Sequence, residues 1–227
     1  MRGDDARGHR LTALVALVAG DRAILAADQG VWGPDGRIQS FESKLHHVEA
    51  ARSVVAAQGV FSQAHFRAVV QTAEGLKHLH ALIVQFMTRN VAWAEGDKLW
   101  PGNEGLMRVA GASWFAGSPV IWGIGQDLSA ASLEPMNLGT LWVSPNVDWS
   151  AAIGQPIHGR EAAATLGPVD ALAIMEAQRR VLDQPKGSAL PISLAGGGCD
   201  VAVVDASGVS IDTLKIWPDV IGERISA

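Results

Sequence analysis

The apolar positions of the chain arrive first in short, nearly unbroken runs. Thr12 to Val18 is one and Ala23 to Asp28 is a second, and the polar turn from Ala19 to Arg22 between them predicts a hairpin. A second strand pair is predicted from Arg37–Phe41 and Lys44–Val48, and another strand at Ser53–Ala57, ending at Gly59. These runs are continuous rather than alternating, which predicts a sheet covered on both faces. Past Ser62 the period lengthens. Ser62 can cap a helix reaching about Ala73, with Ala64, Ala68 and Val69 on its apolar face. Leu76, Leu79, Leu82, Ile83, Phe86 and Met87 continue a helical stripe to about Ala94, with Gly75 as the break.

After a predicted loop over Glu95–Gly105, strands are expected at Met107–Phe115 and Val120–Ile124, joined at Gly117 to Pro119. Leu128–Asn146 reads as irregular. Helices are predicted over Arg160–Thr165 and Val169–Leu182. A closing hairpin runs from Asp200–Val204 through a turn at Asp205 to Gly208 and into Val209–Ile216. The order strands, two helices, strands, two helices, strands predicts an α+β protein. Its expected form is a four-layer αββα sandwich, with helices outside two packed sheets. No repeat or linker divides residues 12–227, which are read as one domain. Residues 1–11 are read as a leader or propeptide, or as lying upstream of the true translation start.

Composition narrows the function classes. At 48% apolar and 18% charged residues, the chain is expected to pack a core rather than stay disordered. A net charge of −5 without a long basic run argues against nucleic acid or an anionic membrane as partner. No apolar stretch reaches the roughly 18 residues of a membrane-crossing helix. The single Cys199 excludes an intramolecular disulfide and fits a reducing, cytoplasmic setting. His46 and His47 are adjacent on a strand, and His78 and His80 are two apart on a helix, so neither pair converges on a metal. No cofactor is expected.

Three residues carry the candidate chemistry. Thr12 opens the first apolar run, Asp28 closes the second, and Lys44 opens a later one. A hydroxyl, a carboxylate and an ammonium at the edges of neighbouring strands can converge at one end of a sheet. There a threonine can become a nucleophile, provided Thr12 becomes the first residue of the chain.

Spacing and wording together resemble the proteasome β-subunits and the related bacterial HslV peptidase, members of the N-terminal-nucleophile hydrolases. Thr12, Asp28 and Lys44 fall at the family's nucleophile, aspartate and lysine without a gap. Ala26-Ala-Asp28, Ser43-Lys-Leu45 and Ala56-Ala-Gln-Gly59 resemble the surrounding segments. Weaker similarity follows at Ala152-Ile-Gly154 and Gly196-Gly-Gly198.

The resemblance implies threonine-type peptide hydrolysis, with the α-amine of Thr12 as base, Lys44 favouring the neutral amine and Asp28 orienting Lys44. It places the oxyanion donor at the backbone N–H of Gln58 or Gly59. Gly30 and Trp32 then fall on the strand lining the substrate channel; Trp32 either fills a pocket there or packs on a neighbouring subunit. Peptide or protein substrates, like subunits in a ring or related oligomer, and an ATP-dependent unfoldase are the implied partners. Other readings are an inactive structural subunit of such an assembly, or a small-amide hydrolase on the same fold.

Three positions depart from the family. Leu11 stands at the processing position in place of glycine, Gln155 stands where a helper serine is expected, and Ile192 to Ala195 lacks the usual aspartate and serine. Ser193 is the candidate to stand in for part of that shell. Leucine codons include alternative bacterial start codons, so a start at Leu11 would place Thr12 directly after an initiator methionine.

Overall fold

The computed structural model describes residues 12–33, 36–59, 61–97, 107–125, 133, 135–155, 164–183, 192–193 and 195–225. It is a mixed α/β structure in which every strand pair is antiparallel. Leu11 and the leader lie outside the described residues, as do most of the predicted Arg160–Thr165 helix and the 98–106 part of the Glu95–Gly105 loop.

The first hairpin is β1 (Leu14–Ala19) and β2 (Arg22–Asp28). The closing hairpin is β13 (Gly198–Asp205) and β14 (Gly208–Ile216). With β10 (Leu141–Ser144) they form a sheet in the order β10-β1-β2-β13-β14. The second sheet runs β5-β6-β7-β8-β9: His46–Val48, Ser53–Gln58, Arg108–Phe115, Ser118–Gly125 and Met136–Asn137. Two small pairs complete the set, β3 (Gly30–Trp32) with β4 (Ile38–Phe41) and β11 (Leu182–Asp183) with β12 (Ile192–Ser193).

Period-two alternation places the two sides of each strand in different environments. Leu14, Ala16 and Val18 of β1 join Leu25 and Ala27 of β2 and meet Val54, Ala56, Ala110, Ala112 and Ile121 of the other sheet. Val15, Leu17, Ile24 and Ala26 face the opposite way, against Ala171, Ile174 and Met175 of helix α4 (Pro168–Arg180). Both faces are buried, which explains the unbroken apolar runs. On the far side of the second sheet, Val55, Val109 and Trp122 pack against α1 (Gln63–Val70) and α2 (Leu76–Asp97) through Phe66, Leu79, Ile83 and Met87. A short α3 (Trp149–Ile153), capped by Asp148, adjoins α4.

Several local expectations are corrected. The α1 face is Gln63, Phe66 and Val70, while Ala64 and Ala68 are exposed: bulk decides which stripe turns inward, and Phe66 outweighs two alanines. Pro119 is not in the turn but in β8, opposite Trp114; Ala116 and Gly117, both at positive φ, make the turn. The Leu128–Asn146 stretch supplies two strands, because Leu141–Ser144 gains its ladder from β1 rather than from a local partner. Likewise β4 pairs with β3 and β5 with β6.

Candidate active site

The β1–β2 register builds the site. Leu14 pairs with Ala27, so Ala13 and Asp28 are the next pair outward. Asp28 N–H donates to the Ala13 carbonyl at 3.3 Å, and Ala13 N–H donates to the Asp28 carboxylate, Oδ1, at 2.9 Å. The chain leaving β4 at Phe41 turns Lys44 and Leu45 inward ahead of β5. Lys44 Nζ then donates to the same Asp28 Oδ1 at 2.8 Å. Asp28 Oδ2 accepts from Gly30 N–H at 3.0 Å and Gly196 N–H at 3.2 Å. Four donors thus meet one carboxylate that is 0% exposed, beside a lysine that is 1% exposed. A buried ion pair offsets its desolvation only when its remaining lone pairs are satisfied in this way. Burial pushes the Asp28 carboxyl upward, while the Lys44 ammonium and the N–H groups of Ala13 and Gly196 pull against it.

Thr12 lies one residue from the Ala13–Asp28 bond and is 1% exposed. Its carbonyl accepts from Gln58 Nε2 at 2.9 Å. Its hydroxyl Oγ1 is buried and has no hydrogen-bond partner among the described residues. An unsatisfied buried hydroxyl is unfavourable, and most buried polar groups are paired. Gln58 ends β6, and Gly59 follows at φ +131°, a region that side chains avoid. The candidate oxyanion segment therefore touches Thr12 through the Gln58 side chain.

Trp32 is fully buried within its own chain. Its indole lies so close over Gly30 that a Cβ there would fall 2.7 Å from the ring. Lys44 Nζ stands 5.0 Å from the ring centroid, within cation–π range. Gly30 and Trp32 therefore pack together beside the ion pair, and Trp32 presents no surface for a neighbouring subunit. Its indole N–H is buried without a partner.

Several contributors have no local sequence signal. Gly196 reaches Asp28 across 168 positions. Asp219 clamps the same turn, accepting from Gly197 N–H at 2.8 Å and from Arg179 through both guanidinium nitrogens. Gln178 of α4 donates to the carbonyls of Leu14 and Pro145. The Ser193 hydroxyl goes to the carbonyls of Arg179 and Ala195 rather than to the triad, and Gln155 is exposed beyond α3.

Among the described residues no three His, Cys, Asp or Glu side chains cluster to hold a metal, and no helix is long and apolar enough to cross a membrane. A cleft of about 310 Å³ lined by Thr140, Leu141, Trp142, Val143, Asn146 and Trp149 opens beside β10 and contains none of the three triad residues. A scan against protein-family models finds no match, and comparison with curated proteins finds none either.

Proposed function

We propose that this chain is a threonine-type peptidase of the N-terminal-nucleophile class, similar to proteasome β-type subunits and working in the cytoplasm within an assembly of like subunits. The observation that carries the proposal is the buried, unpartnered Thr12 hydroxyl, one residue from an Asp28 carboxylate that also binds Lys44.

With Thr12 as first residue, its α-amine, of reference pKa about 7.7–8.0, takes the Oγ1 proton. The oxygen attacks the substrate carbonyl and the C–O bond forms. The oxyanion is received by backbone N–H at Gln58 or Gly59. Collapse breaks the C–N bond, and the α-ammonium returns its proton to the leaving amine. Water, deprotonated by the same amine, then attacks the ester carbonyl; the C–Oγ1 bond breaks, the carboxylic acid leaves, and the α-ammonium returns its proton to Oγ1. Lys44 holds the amine neutral through its charge, and Asp28 orients Lys44.

N-terminal sequencing of the natively produced protein, followed by treatment with a peptide epoxyketone, tests the reading. Thr12 is expected at the N-terminus, and the probe labels wild type but not Thr12→Ala. Labelling that survives in Thr12→Ala removes the assignment. A second reading, a silent structural subunit, is favoured by Trp32, whose indole packs over Gly30 beside Lys44. Residue 11 retained together with an inert Thr12 selects it.

A further inference from the structure

The direction of one hydrogen-bond chain is forced by chemistry. Arg108, at the start of β7, donates from Nη1 to Ser144 Oγ at 2.9 Å. A guanidinium has no acceptor, so the Ser144 hydroxyl receives that bond and gives its own proton onward. It gives it to Gln58 Oε1, at 2.9 Å. This fixes the Gln58 amide orientation, leaving Nε2 to donate to the Thr12 carbonyl at 2.9 Å. Every link points the same way, from a cation on one sheet, through the last residue of β10 on the other, to the main chain of Thr12. Aligned links of this kind reinforce one another.

The far side of the same peptide unit is held too, since Ala13 N–H is taken by Asp28. The Thr12–Ala13 peptide is thereby gripped at its oxygen and at its nitrogen. Both polar groups of that peptide are engaged, and among the described residues the Thr12 hydroxyl has no partner. Ser144 is 2% exposed, so water does not substitute readily for its hydroxyl.

We propose that Arg108, Ser144 and the Gln58 side chain are positioning residues for Thr12. They fix its carbonyl, leave its hydroxyl available, and draw electron density from it so that its α-amine is less basic. The inference rests on the nucleophile reading above and adds a distinct claim about rate.

The test measures epoxyketone labelling of mature wild type, Ser144→Ala and Ser144→Thr against probe concentration and pH. Ser144→Ala is expected to lower the maximal labelling rate by about tenfold at an unchanged half-saturating concentration, and to move the pH midpoint of labelling upward. Ser144→Thr, which keeps the hydroxyl, restores both. Ser144→Ala labelled at the wild-type rate and midpoint overturns the positioning role while leaving Thr12 as nucleophile. An unlabelled wild type overturns both. Should Ser144→Ala fail to fold, Arg108→Gln takes its place: a slowed rate with a raised midpoint supports the role, and wild-type values overturn it.

Discussion

Two of the buried polar clusters, one in each sheet, are finished differently. In the second sheet Ser53 and Ser113 face each other across β6 and β7, their hydroxyls 2.6 Å apart. Ser53 donates to the Ala51 carbonyl and Trp122 Nε1 donates to Ser113 at 2.7 Å. The indole has room because Gly111 lies opposite, where a Cβ would fall 2.2 Å from the ring. Every group there is neutral and paired. The cluster around Asp28 holds a charge pair with all its acceptors filled, yet leaves the Thr12 hydroxyl and the Trp32 N–H without partners. Burial is common to both clusters. Between these two clusters the difference is the hydrogen-bonding capacity left unused.

The contrast can be broken by substitution. Lys44→Met strands the Asp28 carboxylate in the interior and is expected to remove about 3–5 kcal/mol of stability in urea unfolding, with probe labelling lost. Ser113→Ala leaves the Trp122 N–H and the Ser53 hydroxyl short of a partner. It should lose about 1–3 kcal/mol and leave labelling per folded molecule as it was. Thr12→Val removes a hydroxyl as well, but an unpaired one. It should abolish labelling while gaining up to about 1 kcal/mol, since the methyl replaces a buried polar atom of similar shape. Equal destabilisation by Thr12→Val and Ser113→Ala would erase the distinction between the clusters.

Two titrations sharpen it further. Burial, reinforced by the charges of Asp28, Asp200 and Glu176, pushes the Cys199 thiol up to about 12. Iodoacetamide at pH 8 should therefore spare Cys199 in the native protein and alkylate it once urea unfolds the chain. Burial lowers His80, whose ring lies 4.3 Å from that of Trp122, to about 4. The folded pKa lies below the unfolded 6.5, so the unfolded state binds the proton first. Its contribution to stability is thus present above pH 6.5 and is lost as pH falls toward 4. His80→Gln should flatten the unfolding profile across that window.

What the sequence disclosed tracks how local the determinants are. The outer hairpins are written in contiguous apolar runs and polar turns, and the α2 stripe through Leu79, Ile83, Phe86 and Met87 repeats within one helix. Asp28 ends β2, while Thr12 and Lys44 each stand two residues ahead of a strand, and position along the apolar runs signals them. β10 was hidden because three half-buried residues and the buried Ser144, next to Pro145, acquire a strand conformation only from β1. The Arg108–Ser144 and Ser144–Gln58 bonds span 36 and 86 positions, and no periodicity connects such residues. The inward turn of Trp32 depends on the absence of side chains at Gly30 and Gly196, which strand patterning alone does not reveal.

The donors that hold Asp28 come from Ala13, Gly30, Lys44 and Gly196, all downstream of Thr12. The ion pair therefore stands complete while residue 11 is still joined to the chain. On the proposed reading, folding and the release of an α-amine are then two events in sequence: the ion pair is assembled first, and the nucleophile is armed only once residue 11 is removed.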